Sequence, residues 1–208
     1  EHRSGLPLTV LTTAIDEFPT LLEQANAIGA GGPEVEPGSR FWYSDAGSDA
    51  LGAVVEVVSG MRLDAFVTDS ILVPLGMADS FYALDATDPR FPRIASLYIG
   101  TAHAWTRFWT PATGKPLYPC AWGSQTLYGT PTDYAKFLAL WMDGGAAGSN
   151  RILSPEAVER TLTPVSEMTM LGNDQRFPTD FLDLEVYYGR MSVLHVPTAA
   201  PTSSKPVI

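Results

Sequence analysis

Pro37-Gly38-Ser39-Arg40-Phe41-Trp42-Tyr43-Ser44-Asp45-Ala46-Gly47-Ser48-Asp49-Ala50-Leu51-Gly52, running on to Ser59-Gly60, is the stretch on which the reading turns. A Pro-Gly turn leads into three aromatics, and a Tyr-Ser-Asp tripeptide then meets the start of an amphipathic helix. Leu51, Val54, Val55 and Val58 recur at i, i+3, i+4 and i+7. That spacing predicts a helix over 47–59 with those four inward, and Gly60 suits the left-handed position that closes it. A tyrosine just ahead of a helix can hold its hydroxyl at a cleft edge. The ordinary pKa of the phenol is about 10, and a nearby ammonium would favour the phenolate. The oxygen could then take a proton from a serine nucleophile. Taken alone, Tyr43 reads more simply as one more aromatic in a packed turn.

Working outward, residues 16–28 predict a helix with Asp16 as its cap and Phe18, Leu21, Leu22 and Ala25 on one face. Another helix is predicted from Leu63, with Phe66, Val67 and Ile71 inward and Pro74 as its stop. Residues 82–128, rich in aromatics and punctuated by Pro111, Gly114 and Pro116, predict short strands and long loops. Thr130 as cap, Pro131 in first position and Asp133 at the capping-box place predict a helix over 130–143 with Tyr134, Phe137, Leu138 and Trp141 as its stripe. Ser154-Pro155-Glu156 starts one more, running to about Leu162. Val186–Tyr188 and Met191–Val196 are the expected strands of the last third. With no alternating βαβ pattern, the fold class is α+β.

Composition bounds the function. The chain has 208 residues, 45% hydrophobic and 17% charged, a globular balance. Net charge is −10 and the basic residues are scattered, which disfavours nucleic acid as a partner. No stretch approaches the roughly 20 apolar residues of a membrane span. The lone Cys120 excludes an internal disulfide and reads as a small core residue. His2, His103 and His195 lack ligand spacing, so neither a metal nor another cofactor is expected. No phosphate-binding loop occurs. There is no Gly-x-Ser-x-Gly elbow either, which disfavours an α/β-hydrolase.

Pro-Gly-x-x-Phe-x-Tyr-Ser-Asn, four residues, Leu-Gly, then a helix ending Ser-Gly is the pattern around the catalytic tyrosine of class C β-lactamases and related esterases and D-peptidases. Pro37 to Gly60 resembles it, with Asp45 where Asn is usual. Four more stretches resemble the same family in order: His2-Arg3-Ser4-Gly5-Leu6-Pro7, Val73-Pro74-Leu75-Gly76-Met77-Ala78-Asp79-Ser80, Gly123 to Leu138 through Leu127-Tyr128-Gly129-Thr130-Pro131-Thr132-Asp133-Tyr134, and Arg151-Ile152-Leu153-Ser154-Pro155-Glu156. Ser44-Asp45-Ala46 could instead be a damaged Ser-Asp-Asn element, but the flanking Pro-Gly and Leu-Gly favour the tyrosine register.

The resemblance to serine β-lactamases and penicillin-binding proteins implies an antiparallel sheet with helices on both sides plus a helical subdomain. Residues 1–208 would form one partial domain. It implies a serine hydrolase acting through an acyl-enzyme on a small ester, β-lactam or peptide substrate. Tyr43 would be the general base and Asp45 would take the substrate-facing Asn position, where an acid offers no amide N–H. Trp122, with Trp105, Trp109 and Tyr118, would wall the acyl pocket or else pack the loops down. The family slightly favours a periplasmic or secreted location. None of Lys115, Lys136 and Lys205 has a serine three residues before it, and no Lys-Thr-Gly or His-x-Gly occurs. Both ends are therefore expected to fall inside the family's domain, leaving this piece inactive. The alternative is a non-catalytic relative that binds peptidoglycan-like ligands or a partner protein.

Overall fold

The computed structural model describes residues 18–33, 36, 44–101, 103–167, 184–188 and 193–197. Its first described helix, α1 (Leu21–Gly31), starts at Thr20, whose Oγ1 accepts from the Glu23 amide at 3.2 Å. This start is later than the sequence predicts, because Pro19 and the Thr20 cap lie ahead of the first turn. The expected cap, Asp16, is outside the described residues. The helix also runs through Gly29 before ending at Gly32, where φ is +70°.

Helix α2 (Asp45–Ser59) begins at Ser44, whose Oγ accepts from the Gly47 amide at 3.0 Å, and closes at Gly60 with φ +68°. Its buried face corrects the prediction. Ala46, Asp49, Gly52 and Ala53 point inward, whereas Leu51 and Val54 are exposed and Val58 is 82% exposed. Only Val55 of the predicted stripe packs against the core. The reason is steric. A Cβ on Gly52 would stand 2.9 Å from Leu21 Cδ2 and 3.0 Å from Leu63 Cδ2, so neighbours approach α2 along its small residues.

Helix α3 (Leu63–Val67) has its first amide held by Glu56 Oε1 at 2.8 Å and passes into a π-type turn over Thr68–Leu72. Leu63 and Leu72 are buried, while the predicted Phe66, Val67 and Ile71 are half-buried. Strand β1 (Phe81–Tyr82) pairs antiparallel with β4 (Leu127–Tyr128). Between them, β2 (Leu97–Thr101) and β3 (Ala104–Trp109) form a separate antiparallel hairpin. Helix α4 (Pro131–Met142) is capped by Thr130, whose Oγ1 accepts from the Asp133 amide at 3.2 Å. Tyr134 and Leu138 of its predicted stripe are exposed, and Leu140 is the buried apolar residue.

The chain divides into two compact units, Glu1–Pro33 with Ser44–Leu138, and Glu34–Tyr43 with Ala139–Ile208. The first holds two apolar clusters. One joins Leu21, Ala53, Leu63, Cys120, Ala121 and Trp122, and the other Phe81, Ala83, Phe91, Ile94 and Trp109. In the second unit, β5 (Ala146–Ala147) and β6 (Asn150–Arg151) form a tight hairpin. Gly145, at φ +90°, is obligatory there, since a Cβ would run into the Leu153 carbonyl. Helix α5 (Pro155–Thr161) follows with Ser154 as its cap. Then β7 (Ser166–Glu167), β8 (Leu184–Tyr188) and β9 (Val193–Pro197) make a three-stranded antiparallel sheet in that order. Helices with small antiparallel sheets are the α+β arrangement the sequence predicts. Among the described residues no helix is long and apolar enough to cross a membrane.

Candidate active site

Tyr43, the predicted general base, lies outside the described residues. The two residues after it are described: Ser44 caps α2 and Asp45 is the first residue of that helix, half-buried. A carboxylate in the first turn faces the positive end of the helix dipole.

What fixes this helix start is a buried carboxylate one turn further on. Asp49 is 1% exposed. Its Oδ2 accepts from Gln24 Nε2 of α1 at 2.8 Å, and its Oδ1 accepts from the Ser124 amide at 2.9 Å. Gly123 makes that approach possible, since a Cβ there would collide with the Ser48 carbonyl oxygen. One side chain thus ties together α1, α2 and the 122–126 turn. Burial pushes the Asp49 carboxyl above the ordinary range. The Ser124 and Gly123 amides oppose this, and the charge of Asp45 adds to it.

The 122–126 turn is itself cross-braced. Thr126 Oγ1 accepts from the Trp122 amide at 3.0 Å, and Thr126 holds φ +88°, a costly conformation for a β-branched residue. Trp122 is 2% exposed, with its ring 4.8 Å from that of Tyr118. The Tyr118 hydroxyl donates to Gln125 Oε1 at 3.0 Å, and burial pushes its pKa up to about 12. Of the four aromatics considered for an acyl pocket, Trp109 and Trp122 are therefore core residues and Tyr118 packs on that core. Trp105 stands at the surface. Cys120 is buried, so it packs as the sequence suggests, and burial raises its thiol.

A second carboxylate joins two of the motif stretches. Asp133 Oδ2 accepts from the Asp79 amide at 2.8 Å and from Ser80 Oγ at 3.1 Å. Lys136 Nζ donates to Asp133 Oδ1 at 2.7 Å and to the Gly76 carbonyl at 2.5 Å. Burial would raise this carboxyl, but the bonds from Lys136, Asp79 and Ser80 outweigh it and hold Asp133 below the ordinary range. The Leu-Gly-Met-x-Asp turn and the start of α4 are thus one hydrogen-bonded unit. Sequence reasoning assigned Asp133 only to the cap and gave Asp49 no role. The available signal was a charged residue, Asp49, in line with the small residues Ala46 and Ala53. Among the described residues no three His, Cys, Asp or Glu side chains converge as metal ligands would.

Helices with small antiparallel sheets, together with the superpositions that follow, place this fold in the β-lactamase and transpeptidase class. An octameric penicillin-binding protein homologue from Pyrococcus abyssi superposes with a TM-score of 0.62, at 22% identity, over 93% of this chain and 41% of its own. Simvastatin synthase (LovD) from Aspergillus terreus gives 0.62 at 20% identity over 94% and 52%. The chain belongs to the beta-lactamase family, whose model matches residues 1–181. A human protein named beta-lactamase-like 1 is 31% identical over 165 residues, 78% of this chain and 30% of that protein. The chain thus spans less than a third of this human relative and between about two fifths and a half of the two solved neighbours.

Proposed function

We propose that the protein acts as a serine hydrolase through an acyl-enzyme on small esters or amides. The family is one of serine hydrolases. What supports the reading is the sequence motif, in which Tyr43 immediately precedes Ser44, the residue that caps α2. In this mechanism a serine oxygen bonds to the acyl carbon while its proton passes to the Tyr43 phenolate. Tyr43 then returns the proton to the leaving group, and water releases the acyl group. Asp45 faces the substrate as an acceptor, which favours ligands offering N–H or O–H at that point over those needing an amide donor. Trp122 contributes by holding the 122–126 turn.

The nucleophile this chemistry needs is a Ser-x-x-Lys serine, and the 208 residues contain none. Assayed with nitrocefin and p-nitrophenyl esters, the chain as given is expected to show no turnover above a Tyr43→Phe control. Turnover above that control would refute the assignment of the nucleophile. In a form that carries Ser-x-x-Lys, Tyr43→Phe should lower kcat by about 10²–10⁴-fold, the usual worth of general base catalysis. Asp45 in place of Asn also favours a second reading, a binding module without catalysis. Covalent labelling of the Ser-x-x-Lys form by a fluorescent penicillin or an activated ester separates the two.

A further inference from the structure

The β2–β3 hairpin exposes several large apolar and aromatic side chains. Trp105 and Ile99 are each 62% exposed, and Tyr98 and Phe108 are exposed beside them. The register pairs Tyr98 with Arg107 and Gly100 with Trp105, which puts Tyr98, Trp105 and Arg107 on one face. Ile99 pairs with Thr106 on the opposite face, and Phe108 stands at the bulge. Large apolar side chains are therefore exposed on both faces of a two-stranded ribbon. Docking on another protein, or on a flat sugar, would hide one face and leave the other polar. An environment that surrounds the ribbon uses both.

Charge narrows the choice. The chain carries 23 acidic residues against 13 basic ones, yet from Phe91 to Thr132 it has no Asp or Glu. That stretch includes the whole hairpin and keeps Arg107 and Lys115. An acidic protein that clears carboxylates from one aromatic projection removes what an anionic surface would repel. Tryptophan and tyrosine favour the headgroup zone of a bilayer, where the ring is apolar and its N–H or O–H stays wet.

We propose that the β2–β3 hairpin is a membrane-interface anchor, seating Tyr98, Ile99, Trp105 and Phe108 among the headgroups of an anionic phospholipid bilayer. Among the described residues the two strands pair only with each other. Their outer edges carry unpaired backbone groups that hydrocarbon would not tolerate. The hydrated headgroup zone satisfies those groups, so the ribbon is seated within that zone and stays out of the hydrocarbon.

The test is co-sedimentation of the 208-residue chain with vesicles of phosphatidylcholine plus phosphatidylglycerol and with phosphatidylcholine alone. Binding is expected to the mixed vesicles, weaker to the neutral ones, with the tryptophan emission shifted to the blue. The doubly substituted Tyr98→Ser, Trp105→Ser chain should bind at least about tenfold more weakly. Both side chains are exposed, so its far-UV dichroism should be unchanged. Failure to bind mixed vesicles overturns the proposal, as does equal binding by the substituted chain. A dimer in light scattering that the same substitutions disperse would also overturn it, by assigning the hairpin to a second copy of the chain.

Discussion

Replacing Asp49 separates what its shape contributes from what its charge costs. In Asp49→Ala the Gln24 Nε2 and Ser124 N–H donors both lose their acceptor inside the first unit. A buried donor left unsatisfied costs about 1–3 kcal/mol, and two of them about 2–4 kcal/mol once the relief of a buried charge is subtracted. Asp49→Asn behaves differently. Its Oδ1 still accepts from the Ser124 amide, and its new Nδ2 faces Gln24. The Gln24 Oε1 is buried with no hydrogen-bond partner, so a flip of that amide supplies the missing acceptor. The Asn chain should lie within about 1 kcal/mol of the parent at neutral pH.

The pH dependence has a definite sign. The folded Asp49 carboxyl is raised, chiefly by burial. Its stabilising contribution is therefore complete below the unfolded value of about 3.9 and is lost as pH rises through the folded value. The parent should gain on Asp49→Asn as pH falls from about 7 towards about 4. Urea unfolding followed by tryptophan fluorescence over that range measures it. A parent–Asn difference that stays flat with pH, or an Asn chain as unstable as the Ala chain, would refute the reasoning.

Other consequences are simpler to check. Gly123→Ala should cost about 2–3 kcal/mol in thermal or urea unfolding, because its methyl meets the Ser48 carbonyl oxygen. Asp133→Asn should destabilise by about 1–3 kcal/mol at neutral pH. Because Asp133 is held below the ordinary range, that contribution is present above about pH 3.9 and fades as pH falls through the folded value, so the two chains converge in acid. Cys120 should resist a thiol reagent at neutral pH in the native chain and react fully in denaturant, as a buried thiol with raised pKa must.

Local chemistry made much of this protein legible from its residues. Thr130 and Ser154 each cap a helix by accepting the amide three residues on, and Gly60 closes α2 in the left-handed region, as read from the sequence; Ser44 caps α2 in the same way, so that the helix begins two residues ahead of the start that the hydrophobic spacing predicts. Those contacts lie within a few residues of one another, so the order of amino acids alone decides them. The ordered motifs likewise placed the chain in its family, and the α+β class followed from the pattern of elements.

The faces of the helices were decided elsewhere. Leu51, Val54 and Val58 carry the hydrophobic spacing of α2, yet the buried side is Ala46, Asp49, Gly52 and Ala53. How closely two helices approach depends on the partner's side chains, here Leu21 and Leu63, and the spacing within one helix does not hold that information. Asp49 and Asp133 show the same limit. Each reads locally as a helix residue, and each acquires its role from groups 25 to 75 residues away in the chain. Only folding brings a Gln24 amide and a Ser124 N–H to one carboxylate, because long-range hydrogen bonds depend on where distant segments meet.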